Sequence, residues 1–290
     1  METLSLEDYK KIKYNEVQEL ENHVASLSEL RDVLNKSWFN RVRKVINSWD
    51  SQRKIDDGAY NLFRILSNQF KPALLNERLE KVEAISRQQN RPKSYRKTRG
   101  ELASTQTNQI LGSLFEINIV YAAIQSCSSV EVYPTTGNGG SNVEAKLIID
   151  NRPIYIEAKA LTYSNHDLVA PYSGYVGIHS VDSMIRQIYD ALNEKLAKGK
   201  QLHVLSENFP TALFLALGFN ADEHSGPWGI ESYFQESHSN VSSILLFGSF
   251  LCRKLIKVFP NDNSSLPLSK EERAYFENSF CGGLVSNNVT

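Results

Sequence analysis

Two glutamates and a lysine flank a turn that can bring them together. They are Glu144, Glu157 and Lys159, in the stretch from Gly139 to Ala160, GGSNVEAKLIIDNRPIYIEAKA. Asp150-Asn151 suits a two-residue hairpin turn, because both side chains tolerate the left-handed backbone that such turns need. Closing the hairpin there pairs Ile149 with Arg152, sets Glu144 opposite Glu157, and sets Asn142 opposite Lys159. A three-residue turn would put Ala145 against Glu157 and mix apolar with charged positions. Side chains alternate across a strand, so Val143, Ala145, Leu147 and Ile149 share one face, with Asn142, Glu144 and Lys146 on the other. In the second strand Ile154, Ile156, Ala158 and Ala160 form the apolar row, and Tyr155, Glu157 and Lys159 point the opposite way. Carboxylates that face each other repel unless positive charge sits between them. A hard divalent cation, which takes carboxylate and carbonyl oxygens, is the natural candidate.

The elements that must position this hairpin can be read on either side of it. Leu20, Val24, Leu27, Leu30 and Leu34 recur at helical spacing, so residues 4–34 are expected to form one amphipathic helix. Further helices are expected from Ser37 to about Trp49, from Ala59 to Phe70 after the break at Asp56-Asp57-Gly58, and from Pro72 to about Arg87. The first hundred residues are thus expected to form a helical N-terminal domain, and residues 101–290 the α/β domain that carries the hairpin. Between them, Arg87 to Arg99 holds six basic residues, no acidic one, and Tyr95. Such a segment either grips a phosphate backbone or is a charged linker.

From Glu101 to Gln125 a helix carries Ile110, Leu114, Ile117 and Tyr121 on its apolar stripe and Glu116 at its centre. A short strand follows at Val130 to Tyr133, then a flexible loop into the hairpin. Beyond the hairpin, Leu161 to Gly177 reads as a loop with His166 and several tyrosines. Val181 to Lys198 reads as a helix with Met184, Ile188, Ala191 and Leu192 inward and Arg186, Gln187, Lys195 and Lys198 outward. Thr211 to Leu217 and Val241 to Phe247 are continuous apolar runs of strand length, typical of strands covered on both faces, and a weaker strand is expected at Leu255 to Phe259. The order predicts an α/β fold, a mixed β-sheet core flanked by helices.

Composition narrows the class. The chain has 290 residues, 41% hydrophobic and 22% charged, with no apolar run long enough to span a membrane. Its first residues, METLSLEDYKKIKYNEV, lack the apolar core of a secretory signal, so a cytoplasmic protein is expected. Cys127, Cys252 and Cys281 are too few and too scattered for a disulfide framework or a zinc site. Residues 1–100 carry 20 Lys and Arg against 14 Asp and Glu, whereas the remainder carries 12 against 19. One half can therefore favour phosphate and the other cations, although a solvated surface has the same balance.

The hairpin with its preceding helix resembles the PD-(D/E)XK nuclease superfamily, over about residues 105 to 260. Members of that restriction-endonuclease-like fold place a glutamate on the first core helix, an acid on the second strand and an acid-x-Lys motif on the third. Glu116 in GSLFEINIV matches the helix glutamate, and Glu157-Ala158-Lys159 in YIEAKA matches the last motif. Where the family has Asp, this chain has Ser141-Asn142. Glu144, two residues on and on the same face, is the preferred substitute ligand over Asn142, since only a carboxylate restores the charge.

The resemblance implies Mg²⁺-dependent hydrolysis of DNA phosphodiesters, with Mn²⁺ as an alternative ion, in restriction or another defence system. Glu116, Glu144 or Asn142, and Glu157 would hold the ion, and Lys159 would position water or stabilise developing charge. Protein partners or a homodimer, and no membrane, complete the expectation. Two other readings stay open. Asn142 favours a catalytically lapsed relative acting as a nucleic-acid-binding or assembly module. An unrelated α/β protein would carry the E-x-K by accident, with Glu157 and Lys159 as an ordinary ion pair.

Overall fold

A computed structural model describes residues 5–49, 57–68, 70–135, 143–161, 181–196, 200–216, 225–237, 239–248 and 255–281. Six helices come first: α1 (Leu6–Val24), α2 (Ser28–Val33), α3 (Lys36–Asn47), α4 (Gly58–Asn68), α5 (Pro72–Gln88) and α6 (Pro92–Glu101). The first amphipathic stretch is two helices rather than one. Asn76 of α5 explains the break, because its side-chain oxygen accepts the backbone N–H groups of Glu29 and Leu30 at 3.0 Å and so satisfies the start of α2. Asp57 starts α4 in the same way, accepting the N–H of Ala59 at 2.9 Å. Gly58 must be glycine there: a Cβ would lie 2.7 Å from the Ile110 side chain and 2.9 Å from the Ser104 carbonyl.

The basic segment is not a linker. After a turn at Asn90, whose φ is 60°, Pro92 opens α6 at a position where its missing N–H costs nothing. Tyr95 and Thr98 face inward, while Lys93, Arg96 and Lys97 are exposed on the outer face.

The long helix α7 (Thr107–Ser126) begins six residues later than its periodicity suggested, because Glu101 belongs to α6. It is apolar on almost every side, as a helix covered all round must be. Helices α4, α5 and α6 pack on one side of it, and strand β3 (Arg152–Ala160) on the other. The remaining strands are β1 (Val130–Val132), β2 (Ala145–Ile149), β4 (Thr211–Ala216), β5 (Ser243–Phe247) and β6 (Leu255–Pro260), in spatial order β1 to β6. The pairs β1–β2, β2–β3 and β5–β6 are antiparallel, while β3–β4 and β4–β5 are parallel. Helices α8 (Val181–Leu196) and α9 (Gln201–Ser206) connect β3 to β4, and α10 (Ser225–Glu236) connects β4 to β5. Helix α11 (Lys270–Cys281) ends the described chain.

The sheet divides two apolar cores. Ala212, Phe214, Leu245 and Phe247 face α7 and α11, in a core that continues to Val17 of α1. Leu213, Leu215, Ile244 and Leu246 face the other way, onto Ile188 and Leu192 of α8 and Ile230 of α10. The fold is therefore α/β, a six-stranded mixed sheet flanked by helices with a helical region before it. Among the described residues no helix is long and apolar enough to cross a membrane.

Candidate functional site

The hairpin closes at Asp150 and Asn151, both left-handed with φ of 49° and 62°, so Ile149 pairs with Arg152. Both positive angles belong to a type I′ turn, whose twist matches that of the strands it joins. Regular pairing runs down to Ala145 with Ile156, and Glu144 lies one residue beyond, beside Glu157. There the ladder bends. The Glu144 N–H donates to the Ile156 carbonyl at 3.1 Å, and one carboxylate oxygen of Glu144 accepts the Ala158 N–H at 2.9 Å. This bend overturns the expected alternation at Val143, which packs with Leu161 and Ile188 instead of joining Ala145 on the α7 side. Asn142 lies outside the described residues, as does His166.

Three carboxylates act on one another here. Glu144 is 9% exposed and Glu157 7%. Burial first, then the charges of Glu116 and Glu157, push the Glu144 carboxyl well above the usual carboxylate range. Glu116, on α7, is pushed up to about 7, chiefly by burial and further by Glu101. Its Oε1 accepts the Thr98 hydroxyl at 2.5 Å, and the Tyr133 phenol lies beside it. Thr98 thus ties the inner face of α6 to the carboxylate cluster.

Among the described residues one cation enters the cluster, Lys195 of α8, which donates to Glu157 Oε1. Burial alone would lower its ammonium, but Glu157 and Glu144 outweigh that and hold it above the usual lysine range. Lys195 is therefore not outward. It stands four residues after Ala191 and three after Leu192, both buried, so the same helical spacing that placed those residues inward places Lys195 there too. Lys159 turns to the neighbouring residue of α8 and donates to Glu194 at 2.7 Å. Lys159, expected in the cluster, is thus held by Glu194, and the ordinary Lys159–Glu157 ion pair of the accidental reading is replaced by two cross-pairs to α8. Lys146 likewise pairs with Glu131 at 3.5 Å rather than with Glu144.

The other oxygen of Glu157, Oε2, is buried and has no hydrogen-bond partner among the described residues. A buried carboxylate oxygen left unpaired is costly unless something positive meets it. Among the described residues no three His, Cys, Asp or Glu side chains are grouped to hold an ion as they stand. Comparison with protein families, curated proteins and solved structures finds no match to this chain.

The donor chemistry nevertheless fits a hard divalent ion. Two buried glutamates, Glu144 and Glu157, act on each other, Glu116 acts on Glu144, a cation already bonds to Glu157, and among the described residues one oxygen is open. Glu144 and Glu157 are the residues that would hold such an ion, with Glu116 beyond Glu144. A separate cleft lined by Glu231, Lys257, Phe259 and Asp262 lies at β6, away from this cluster.

Proposed function

We propose that the chain hydrolyses DNA phosphodiester bonds with a divalent metal, Mg²⁺ or Mn²⁺, at Glu116, Glu144 and Glu157, as its resemblance to the PD-(D/E)XK nucleases implies. One observation carries the reading: two buried carboxylates, Glu144 and Glu157, lie together with Glu116 acting on Glu144, Lys195 bonds to Glu157 alone, and among the described residues the other oxygen of Glu157 has no partner. A fold has no stability reason to concentrate like charges in this way, whereas a site for a hard cation requires it. An ion held there supplies Lewis-acid polarisation of the phosphate and a bound water of lowered pKa. The protein's own part is to orient the oxygens. The Ala158 N–H fixes Glu144 and the Thr98 hydroxyl fixes Glu116. Lys159, from the same strand, is half-buried and held by Glu194, from which it can reach a developing negative charge.

Support for a nucleic-acid substrate comes from α6. Of the six basic residues between Arg87 and Arg99, Arg87 pairs with Glu83, Arg91 with Glu131, and Arg99 with Glu29. Lys93, Arg96 and Lys97 project from the outer face of α6, and Thr98 on its inner face holds Glu116. Those three cations suit a phosphate backbone passing over the helix that covers the site.

The second reading, a lapsed enzyme that only binds nucleic acid, is favoured by Lys195, whose ammonium already neutralises part of the cluster. Incubation of supercoiled plasmid with the purified protein across a Mg²⁺ titration separates the two. Nicked or linear product that needs metal is expected; retained DNA without cleavage in Mg²⁺ or Mn²⁺ would leave the binding module.

A further inference from the structure

We infer that Lys195 is an internal counter-ion occupying the metal's place, so that a divalent cation and the Lys195–Glu157 ion pair exclude one another. This rests on the reading that Glu116, Glu144 and Glu157 take a metal.

The charge balance leads there first. Lys159 is committed to Glu194, and Lys146 to Glu131, so Lys195 is the described cation that bonds into the cluster. Buried carboxylates without a counter-charge destabilise a fold, which gives the metal-free protein a reason to keep a lysine among them. Geometry adds a second argument. Lys195 engages one oxygen of Glu157 and leaves the other unpaired among the described residues, as a single point charge does at a place able to feed more ligands to an ion.

The third argument is mechanical. Ile188, Ala191, Leu192 and Leu196 fix α8 in the core beneath the sheet, so the helix is anchored while the lysine stem is not. Lys195 lies in the last turn of α8, and a flexible four-carbon side chain can withdraw by changing rotamer without moving that helix. A dication and an ammonium at the same oxygens would repel each other strongly, so loading must expel the lysine.

Two measurements on the full chain test this. Mn²⁺ binding, followed by loss of the free-ion paramagnetic resonance signal, is compared between wild type and Lys195→Met. The variant should bind Mn²⁺ about tenfold or more tightly than wild type, since the competing charge is gone, and should melt at lower temperature without metal. Equal or weaker Mn²⁺ binding by the variant, with wild type still binding, overturns the inference and leaves the metal reading standing. If neither protein binds Mn²⁺, both fall. Should Lys195→Met fail to fold, the wild type alone decides through the acetylation rate of each lysine, read by mass spectrometry with and without Mg²⁺. Lys195 should become several-fold more reactive with Mg²⁺ while Lys93 on the outer face of α6 is unchanged; a Lys195 rate indifferent to Mg²⁺ refutes displacement.

Discussion

The helical region and the hairpin region handle buried charge in opposite ways. Among α1 to α7, cations meet their own acceptors: Arg41 forks onto Asp57 at 2.7 and 3.0 Å, Arg43 meets Glu21, Arg99 meets Glu29, and Arg78 is bonded to Asn118 while stacking on Phe70 and Tyr121. Beneath the hairpin, Glu144 lies between the charges of Glu116 and Glu157, Lys195 meets Glu157 alone, and among the described residues Glu157 Oε2 has no partner. Matched pairs are what folding stability selects, because each buried charge must be neutralised locally. An uncompensated cluster makes the fold less stable than it could be, and such a cost persists at places that bind or react. The contrast is what supports the proposed site at the hairpin.

The comparison breaks most visibly in activity. Glu157→Gln keeps the size of the side chain and should reduce metal-dependent cleavage by about a hundredfold or more, since even residues supporting a ligand are worth 10–100-fold. Glu21→Gln removes a carboxylate of the matched kind, the partner of Arg43, and should lower the melting temperature while leaving cleavage per folded molecule unchanged. Equal losses of activity in the two variants would erase the distinction between the regions.

A smaller effect should appear in stability against pH. The folded-state pKa of Glu116 is about 7, above its ordinary 4.5, so between those values the folded protein holds more protons than the unfolded chain. Stability contributed by that proton is fully present below pH of about 4.5 and is lost as the pH rises through about 7. Thermal melts of metal-free protein should therefore fall in temperature across that range, and saturating Mg²⁺ should abolish the fall. A metal-free melting temperature that rises from pH 5 to 7 would mean that the carboxylates are better compensated than their surroundings indicate.

Much of the hairpin was legible because its determinants are local. Alternation, the Asp150-Asn151 turn and the apolar rows fixed its register before any tertiary contact was considered. The cation in the cluster depends on how α8 docks across β3, and the charge of Lys195 argued for an outward position that its spacing from Ala191 and Leu192 contradicts. The bend that sends Val143 to the opposite core from Ala145 is a backbone irregularity with no periodic signature. Helix α11 had a readable start that went unused: Ser269 and Glu272 cap each other reciprocally, with bonds of 3.1 and 2.7 Å, in a Ser-x-x-Glu box. The division of the Arg87–Arg99 segment into three paired and three outward cations needed the partners Glu83, Glu131 and Glu29, two of which are remote in sequence.

That division gives the smallest predicted effect. Replacing Lys93, Arg96 and Lys97 by glutamine should flatten the log–log salt dependence of DNA binding by about 0.9 per lost phosphate contact. Arg87→Gln and Arg91→Gln, which remove cations already paired with carboxylates, should leave the slope unchanged. A slope that responds to both sets alike would place the contact on the whole segment rather than on the outer face of α6.

The central claim, that the hairpin carboxylates form a metal site, is tested most directly by anomalous diffraction from crystals soaked in Mn²⁺. A peak is predicted about 2.0–2.6 Å from carboxylate oxygens of Glu144 and Glu157, the range for hard cations on oxygen. Full Mn²⁺ soaking with no peak at those oxygens, and the Lys195–Glu157 bond intact, would contradict it.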